Sequence, residues 1–223
     1  MEVKSETDDH DVAARHQRAD AARNRARLLQ AATEVFRERG VEVGVGEIAD
    51  RAGVGRATLF RNFPTKQDLV VAVVAQRIHE AIAAGRALLA SDTDQELLFP
   101  FVRELVGLQQ VDRSLFEVVG SDELLQLPEM SAAHEGIIEV IDELIAHDQL
   151  LGLIREGIGA IDVLMLFKGA CAVAAAFAEA GPQSLDRHLS LVRSAIAAPG
   201  RECPLPGQMP TLADLKSSIG TAH

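Results

Sequence analysis

Hydrophobic residues recur at intervals of three and four along most of the chain, which is the spacing of an amphipathic α-helix. In the first clear segment the apolar positions are Leu28, Leu29, Ala32, Val35 and Phe36, and charged side chains fill the opposite face. No stretch alternates apolar and polar residues as a half-buried strand would. The pattern therefore predicts an all-α fold of about nine helices.

Local signals indicate where these helices end. Gly40 is suited to end the first helix, which is predicted to begin near residue 21, because glycine readily adopts a positive φ. Phe63-Pro64 ends the third helix, since a residue before proline avoids the helical conformation. Thr65 is a good N-cap for the fourth. The predicted helices span residues 21–39, 45–52, 56–62, 66–90, 95–110, 111–127, 128–150, 161–180 and 184–197.

The charge of the chain is distributed unevenly. The net charge of −11 argues against a nucleic-acid partner when it is taken alone. Residues 15–66, however, hold 11 Lys and Arg against 6 Asp and Glu, whereas residues 71–223 hold 10 against 21. A basic N-terminal segment on an acidic remainder predicts two functional parts, of which the first could contact phosphates.

Several classes of protein and site do not fit the composition. Residues 1–20 lack the apolar core of a secretory signal and are predicted to form a mobile arm, and no window has about 18 consecutive apolar residues. Cys171 and Cys203 are too few for a disulfide framework and fit a reducing cytoplasm. Histidines are scattered without metal-ligand spacing, so no metal and no cofactor is expected. Residues 199–223, rich in Pro and Gly, are predicted to form a disordered tail.

Two short predicted helices behind a longer one, joined at Gly53, match the helix-turn-helix plan. A small core would fix the angle between the short helices, formed by Ile48, Ala49, Val54 and Leu59. The outer face of the third helix would then be free to enter the major groove of DNA, which admits one α-helix. The side chains predicted on that face are Arg56, Ala57, Thr58, Arg61 and Asn62.

Residues 47–66, EIADRAGVGRATLFRNFPTK, resemble the DNA-binding domain of the tetracycline-repressor-like (TetR family) transcriptional regulators. The preceding LLQAA (28–32) and VFRERG (35–40) are similar to the first helix of that family and its ending. The resemblance covers residues 21–75. It implies a homodimer that binds a near-palindromic DNA operator through residues 21–66, and a C-terminal region, residues 67–198, that forms the dimer interface and a pocket for a small-molecule effector.

The resemblance also implies particular DNA-binding residues. Arg56, Ala57 and Thr58 occupy groove-facing positions, and Lys66 matches the phosphate-binding lysine of the family. The full predicted set is Arg23, Arg25, Val45, Gly55, Arg56, Ala57, Thr58, Phe60, Arg61, Asn62 and Lys66.

Three positions depart from the family pattern, and each lacks a hydroxyl group. Gly44 stands where a threonine usually caps the second helix, Gly55 where a serine often caps the third, and Phe60 replaces the usual tyrosine. Helix N-termini still offer backbone N–H groups to phosphate. DNA binding is therefore expected to depend more on arginine and to weaken steeply as salt is raised.

The C-terminal helices supply two further predicted sets. Apolar residues there could line the effector pocket, although ordinary core is the more frequent role of such side chains. The candidate pocket residues are Phe99, Phe101, Leu108, Phe116, His134, Phe167 and Cys171. The helices at 161–180 and 184–197 are predicted to form a four-helix dimer interface through Phe167, Ala170, Ala174, Phe177, Leu189, Val192 and Ile196.

A second hypothesis is that the protein is a helical enzyme or carrier with a vestigial helix-turn-helix. The chain shows no paired carboxylates at metal spacing, no nucleophile with a nearby base and no phosphate-binding loop. We therefore expect a regulator, more specifically a repressor, and not an enzyme.

Overall fold

A computed structural model of the protein describes residues 6–91, 93–111, 127–176 and 182–201. These residues form eight helices and no strand, with one isolated antiparallel bridge between Ile154 and Ala197. The helices are α1 (Glu6–Arg39), α2 (Val45–Ala52), α3 (Arg56–Asn62), α4 (Lys66–Leu89), α5 (Leu98–Val111), α6 (Pro128–Leu150), α7 (Ala160–Ala176) and α8 (Pro182–Ile196). The all-α prediction is confirmed. Most of the predicted helix at 111–127 and residues 202–223 of the predicted tail lie outside the described residues.

The first helix begins at Glu6, well before residue 21, where apolar periodicity predicted its start. Residues 6–20 have no apolar face, but residues 13–19 hold three alanines, two arginines and a glutamine, which are good helix formers. Arg23 pairs with Asp20 one turn earlier, an arrangement that supports a solvated helix. Apolar periodicity indicates which residues are buried. The start of α1 is helical although its described side chains at Asp20 and Arg23 are exposed, so periodicity did not reveal it.

The chain divides into two compact units, residues 1–76 with 114–127, and residues 77–113 with 128–223. In the first unit α1 packs against α2 and α3. Side chains of the three helices meet in a core that excludes water, with exposed fractions of 1% or less at Leu28, Ala32, Val35, Phe36, Ile48, Ala49 and Leu59. Burial of this apolar area is the main term that holds the short helices α2 and α3 in place.

The second unit is a helical bundle in which α7 contacts α5, α6 and α8. Its core includes Phe101, Ile141, Leu144 and Ile196, all nearly inaccessible to water. None of the described helices combines the length and the apolarity needed to cross a membrane.

The start of α5 differs from the prediction for a physical reason. The sequence predicted a helix from residue 95, but α5 begins at Leu98. The Asp148 carboxylate, fully buried, accepts the backbone N–H groups of Leu97 (3.0 Å) and Leu98 (3.0 Å). The Thr93 hydroxyl instead accepts the N–H of Gln95 in a local turn. A side chain fifty residues away in sequence therefore caps this helix.

Candidate nucleic-acid interface

The turn between α2 and α3 is built on Gly53. Its φ is +66°, a left-handed conformation that glycine adopts without steric cost. The Gly53 N–H donates to the Asp50 carbonyl (3.1 Å) and the Val54 N–H donates to the Ala49 carbonyl (3.0 Å). These bonds satisfy the last carbonyls of α2 and direct the chain into α3. The helix-turn-helix predicted from the sequence is confirmed as a local structure.

One face of α3 is buried and the other is exposed. Leu59 is inaccessible to water and fixes the helix against the core of the first unit. The exposed side chains of α3 are those of Arg56, Ala57, Phe60 and Arg61, whereas Thr58 and Asn62 are half-buried. Phe60 is 46% exposed, so its ring covers the helix surface without entering the core. The exposed face thus carries two guanidinium groups, which can pair with guanine edges or phosphate.

The N-termini of both short helices carry no side-chain cap. Gly44 is the N-cap of α2 and Gly55 the N-cap of α3, and neither helix has a side-chain cap hydrogen bond. Space is open around both positions, because a Cβ added at either would meet no atom within 4 Å. The predicted absence of capping hydroxyls is confirmed. Each helix can therefore present free N–H groups to an anion.

Asn62 and Lys66 lie beside the exposed face at the end of α3. The Asn62 amide nitrogen donates to the Thr58 carbonyl of the same helix (2.8 Å), so the amide is directed partly toward its own backbone. Lys66 is half-buried at the first position of α4. Thr65 caps that helix as predicted, since its hydroxyl accepts the Asp68 N–H (3.1 Å) and the Asp68 carboxylate accepts the Thr65 N–H (2.9 Å). Val45, also in the predicted set, is half-buried at the first position of α2.

Arg25 has contacts that its prediction as a phosphate ligand did not include. Its guanidinium lies over the ring of Phe63, 4.5 Å from the centroid, and Nη1 donates to the Asn62 carbonyl (3.4 Å). Both partners are at the C-terminal end of α3, where carbonyl groups attract a cation. We interpret Arg25 as a residue that holds the end of α3 against α1. Arg23, predicted beside it, is exposed and paired with Asp20.

We expect Arg25→Ala to lower the free energy of unfolding by about 1 kcal/mol, because it removes a half-buried cation–π contact. Arg25→Lys should lose about half as much, since an ammonium keeps the charge but not the planar contact. Urea denaturation measures both values, with Arg27→Ala, an exposed neighbour on α1, as the control. An unchanged free energy of unfolding in Arg25→Ala would contradict the role of Arg25 in holding α3. Only its predicted role as a phosphate ligand would then remain.

Ion pairs that the sequence did not reveal join α1 to α2. Arg51 pairs with Glu38 (2.9 Å) and Glu34 (3.4 Å), and Arg39 pairs with Glu47 (2.6 Å). The hydrogen bond from Arg51 lowers the pKa of Glu38. These groups are exposed, so each pair contributes little to stability. They offset the charges of Arg39 and Arg51, two arginines of the basic segment.

The predicted effector-pocket residues are only partly brought together in the second unit. Phe99 and Phe167 border one apolar cleft, whose cavity volume is about 10 Å³. Phe101 belongs to the core, and Nδ1 of the half-buried His134 donates a hydrogen bond to the Met130 carbonyl (2.8 Å). Burial raises the pKa of the Cys171 thiol to about 12, so this cysteine packs as an apolar group. The Leu108 side chain and Phe116 lie outside the described residues.

Four predicted dimer-interface residues are buried within the single chain. Ala170, Leu189, Val192 and Ile196 are buried to exposed fractions of 9% or less and border the same cleft as Phe167. Their role as contacts to a second chain stays a prediction, because apolar spacing in a helix does not distinguish its own core from an interface. The Ala174 side chain and Phe177 lie outside the described residues. Among the described residues, no three His, Cys, Asp or Glu side chains come together as metal ligands.

Comparison with known proteins now identifies the family. Residues 28–73 match the family model of bacterial regulatory proteins of the tetR family, and residues 94–197 match the model of the C-terminal domain of SbtR-like transcriptional regulators. A TetR transcription regulatory protein of Mycobacterium vanbaalenii is 32% identical, with a TM-score of 0.61, and the alignment covers 82% of this chain and 99% of that one. The chain belongs to the TetR family.

Two further similar proteins are transcriptional regulators by name. The HTH-type transcriptional activator FasR of Mycolicibacterium smegmatis is 30% identical over 130 residues, which cover 56% of this chain and 59% of FasR. FadR of Thermus thermophilus, a TetR family transcriptional repressor solved in complex with lauroyl-CoA, is 26% identical, with a TM-score of 0.54. That alignment covers 82% of this chain and all of the FadR chain (100%). The family match extends through α5 to α8, beyond residues 21–75, to which the resemblance seen in the sequence was limited.

Proposed function

We propose that the protein is a DNA-binding transcriptional regulator that binds a near-palindromic operator as a homodimer and is released from it by a small-molecule effector. The observation that carries this proposal is the exposed face of α3, where Arg56, Ala57, Phe60 and Arg61 face solvent while Leu59 fixes the helix. Membership in the TetR family supports the assignment. We infer repression as its mode of action, in which the bound dimer excludes the transcription machinery.

The second unit offers a surface for the second chain of the dimer. The exposed positions among the described side chains of α7 are 161, 162, 165, 168, 169 and 172, which lie on one side of the helix. Ile161 is 59% exposed and Met165 69%, and Leu191 of α8 is 48% exposed. Ile161 and Met165 are one turn apart on α7, and contiguous exposed apolar surface is typical of a protein contact. We propose this face, in place of the predicted one, as the dimer contact.

An effector would bind in the second unit beside Phe99. The apolar cleft at this ring holds about one water molecule, so a ligand must separate its lining side chains. A second cleft, about 60 Å³, also borders Phe99 and adds Arg193, Arg201 and Glu96. An apolar interior next to arginines suits an effector with a hydrocarbon chain and an anionic group. Because FadR is known in complex with lauroyl-CoA, that compound is the first probe to test.

The proposed function predicts specific binding to the intergenic DNA upstream of the gene that encodes the protein. Fluorescence anisotropy of that fragment should give saturable binding of two chains per operator, resistant to an excess of scrambled DNA. The affinity should fall by about 1000-fold or more between 50 and 200 mM salt, because arginine contacts to phosphate release counterions. An affinity nearly independent of salt would contradict the dependence on arginine. Failure to bind any DNA at low salt would favour the helical enzyme or carrier.

A further inference from the structure

The Arg56 side chain lies across the first turn of α2. Arg56 begins α3 and is exposed, yet its guanidinium is directed at Gly46, the second residue of α2. A Cβ placed on Gly46 would lie 2.9 Å from both Cζ and Nε of Arg56. Nonbonded carbon atoms pack at about 3.5–4.0 Å, so a side chain at residue 46 and this position of Arg56 exclude each other.

The backbone of α2 does not itself require glycine at this position. Gly46 is not among the glycines with a positive φ, so an alanine could adopt its helical conformation. Alanine is also the better helix former. The atoms that an added Cβ would meet are the end of a long side chain, which can rotate away, and they do not belong to the core. A larger residue at 46 would therefore redirect Arg56 and leave the fold in place.

The direction of Arg56 decides what it can bind. Bidentate pairing with guanine requires both guanidinium nitrogens at the base edge in one plane, and a displaced fork loses the contact. We propose that Gly46 is a specificity-determining residue that acts through Arg56, because the missing Cβ lets the guanidinium lie over α2. Gly46 is buried and is a positioning residue, not one that contacts DNA. This inference rests on the proposed DNA-binding function.

A double-mutant cycle on the upstream fragment tests this coupling. Gly46→Ala should weaken binding by about tenfold when Arg56 is present and by less than about twofold in the Arg56→Ala background. Selection of half-sites from random DNA should show that Gly46→Ala changes preference only at the positions that Arg56→Ala relaxes. Gly107→Ala, a helical glycine in α5 with open space around its Cβ, should change neither property.

Three outcomes would overturn the proposal. Equal losses in both backgrounds would mean that the new methyl group disturbs DNA directly, and no loss in either would remove the coupling. Collapse of the helical circular dichroism signal in Gly46→Ala would make Gly46 a packing residue. The Arg56 Nε–Hε resonance of the free protein provides a readout without DNA and should shift in Gly46→Ala but not in Gly107→Ala. If the resonance shifts but the wild-type protein does not bind DNA, the proposed function is contradicted. The contact between Gly46 and Arg56 would still be supported.

Discussion

We expect the double variant Arg56→Ala with Arg61→Ala, which places both substitutions in every chain of the dimer, to weaken operator binding by at least about 100-fold. Each arginine that pairs with a base edge contributes about 1–3 kcal/mol, and a dimer loses both contacts in each half-site. Both side chains are exposed, so their removal should leave the free energy of unfolding within about 0.5 kcal/mol of the wild-type value. Anisotropy titrations at fixed salt measure the affinity, and urea denaturation measures the stability.

The matched control removes two exposed arginines from the second unit. Arg86→Ala with Arg155→Ala changes the net charge by the same amount but leaves α3 intact. Its affinity for the upstream fragment should fall by less than about threefold, since charges distant from the phosphates are screened within about 10 Å. Equal losses in the two double variants would indicate that the protein binds DNA through net charge alone, and would contradict the assignment to α3.

The second large effect is expected at Asp148. Its buried carboxylate accepts N–H groups of Leu97 and Leu98, and it also contacts Nδ1 of His147 at 2.9 Å. Asp148→Ala leaves those donors buried without an acceptor, which should lower the free energy of unfolding by about 3 kcal/mol. The control is Asp142→Ala, because the exposed Asp142 accepts the N–H of Ala160 at the start of α7 (2.8 Å). That variant should lose about 1 kcal/mol.

The same site has an expected pH dependence. The hydrogen bond with Asp148 raises the pKa of His147 above its ordinary value of 6.5, and a further bond joins its Nε2 to the Thr93 carbonyl (3.0 Å). A raised pKa in the folded state means that the contribution to stability is complete below pH 6.5 and is lost as the pH rises through the folded-state value. Asp148→Ala should return the pKa of His147 toward 6.5 in a proton NMR titration. Equal costs for Asp148→Ala and Asp142→Ala, with an unchanged histidine titration, would contradict this arrangement.

The helix-turn-helix was predictable from the sequence because its signals are local. The bounds of α2 and α3, Val45–Ala52 and Arg56–Asn62, agree with those predicted. The left-handed turn at residue 53 favours glycine, which has no side chain. Phe63 is extended (φ −138°, ψ 96°) because it precedes proline. Each of these constraints acts over a few neighbouring residues, so it can be recognised from the sequence alone.

Other features depend on contacts between distant parts of the chain. Asp148 sets the start of α5, and Phe63 sets the position of the Arg25 guanidinium. Neither partner can be recognised from the spacing of residues in the sequence. The coupling of Gly46 to Arg56 depends on a side-chain conformation. The sequence does not separate buried from interface positions, because both are apolar, and the structure shows that Ile161 and Met165 are exposed whereas Ala170 is buried.

Cleavage of DNA from a label on α3 tests most directly whether this helix reads the operator. A chain in which Cys171 and Cys203 are replaced by alanine would carry one cysteine at Ala57, coupled to an iron–EDTA reagent, and bind the upstream fragment. We predict two clusters of cuts, centred about 34 Å apart along the duplex and related by a dyad. The same label at Ala132, exposed on α6, should give no localised cuts. Localised cleavage from residue 132 but none from residue 57, with binding intact, would contradict the role of α3.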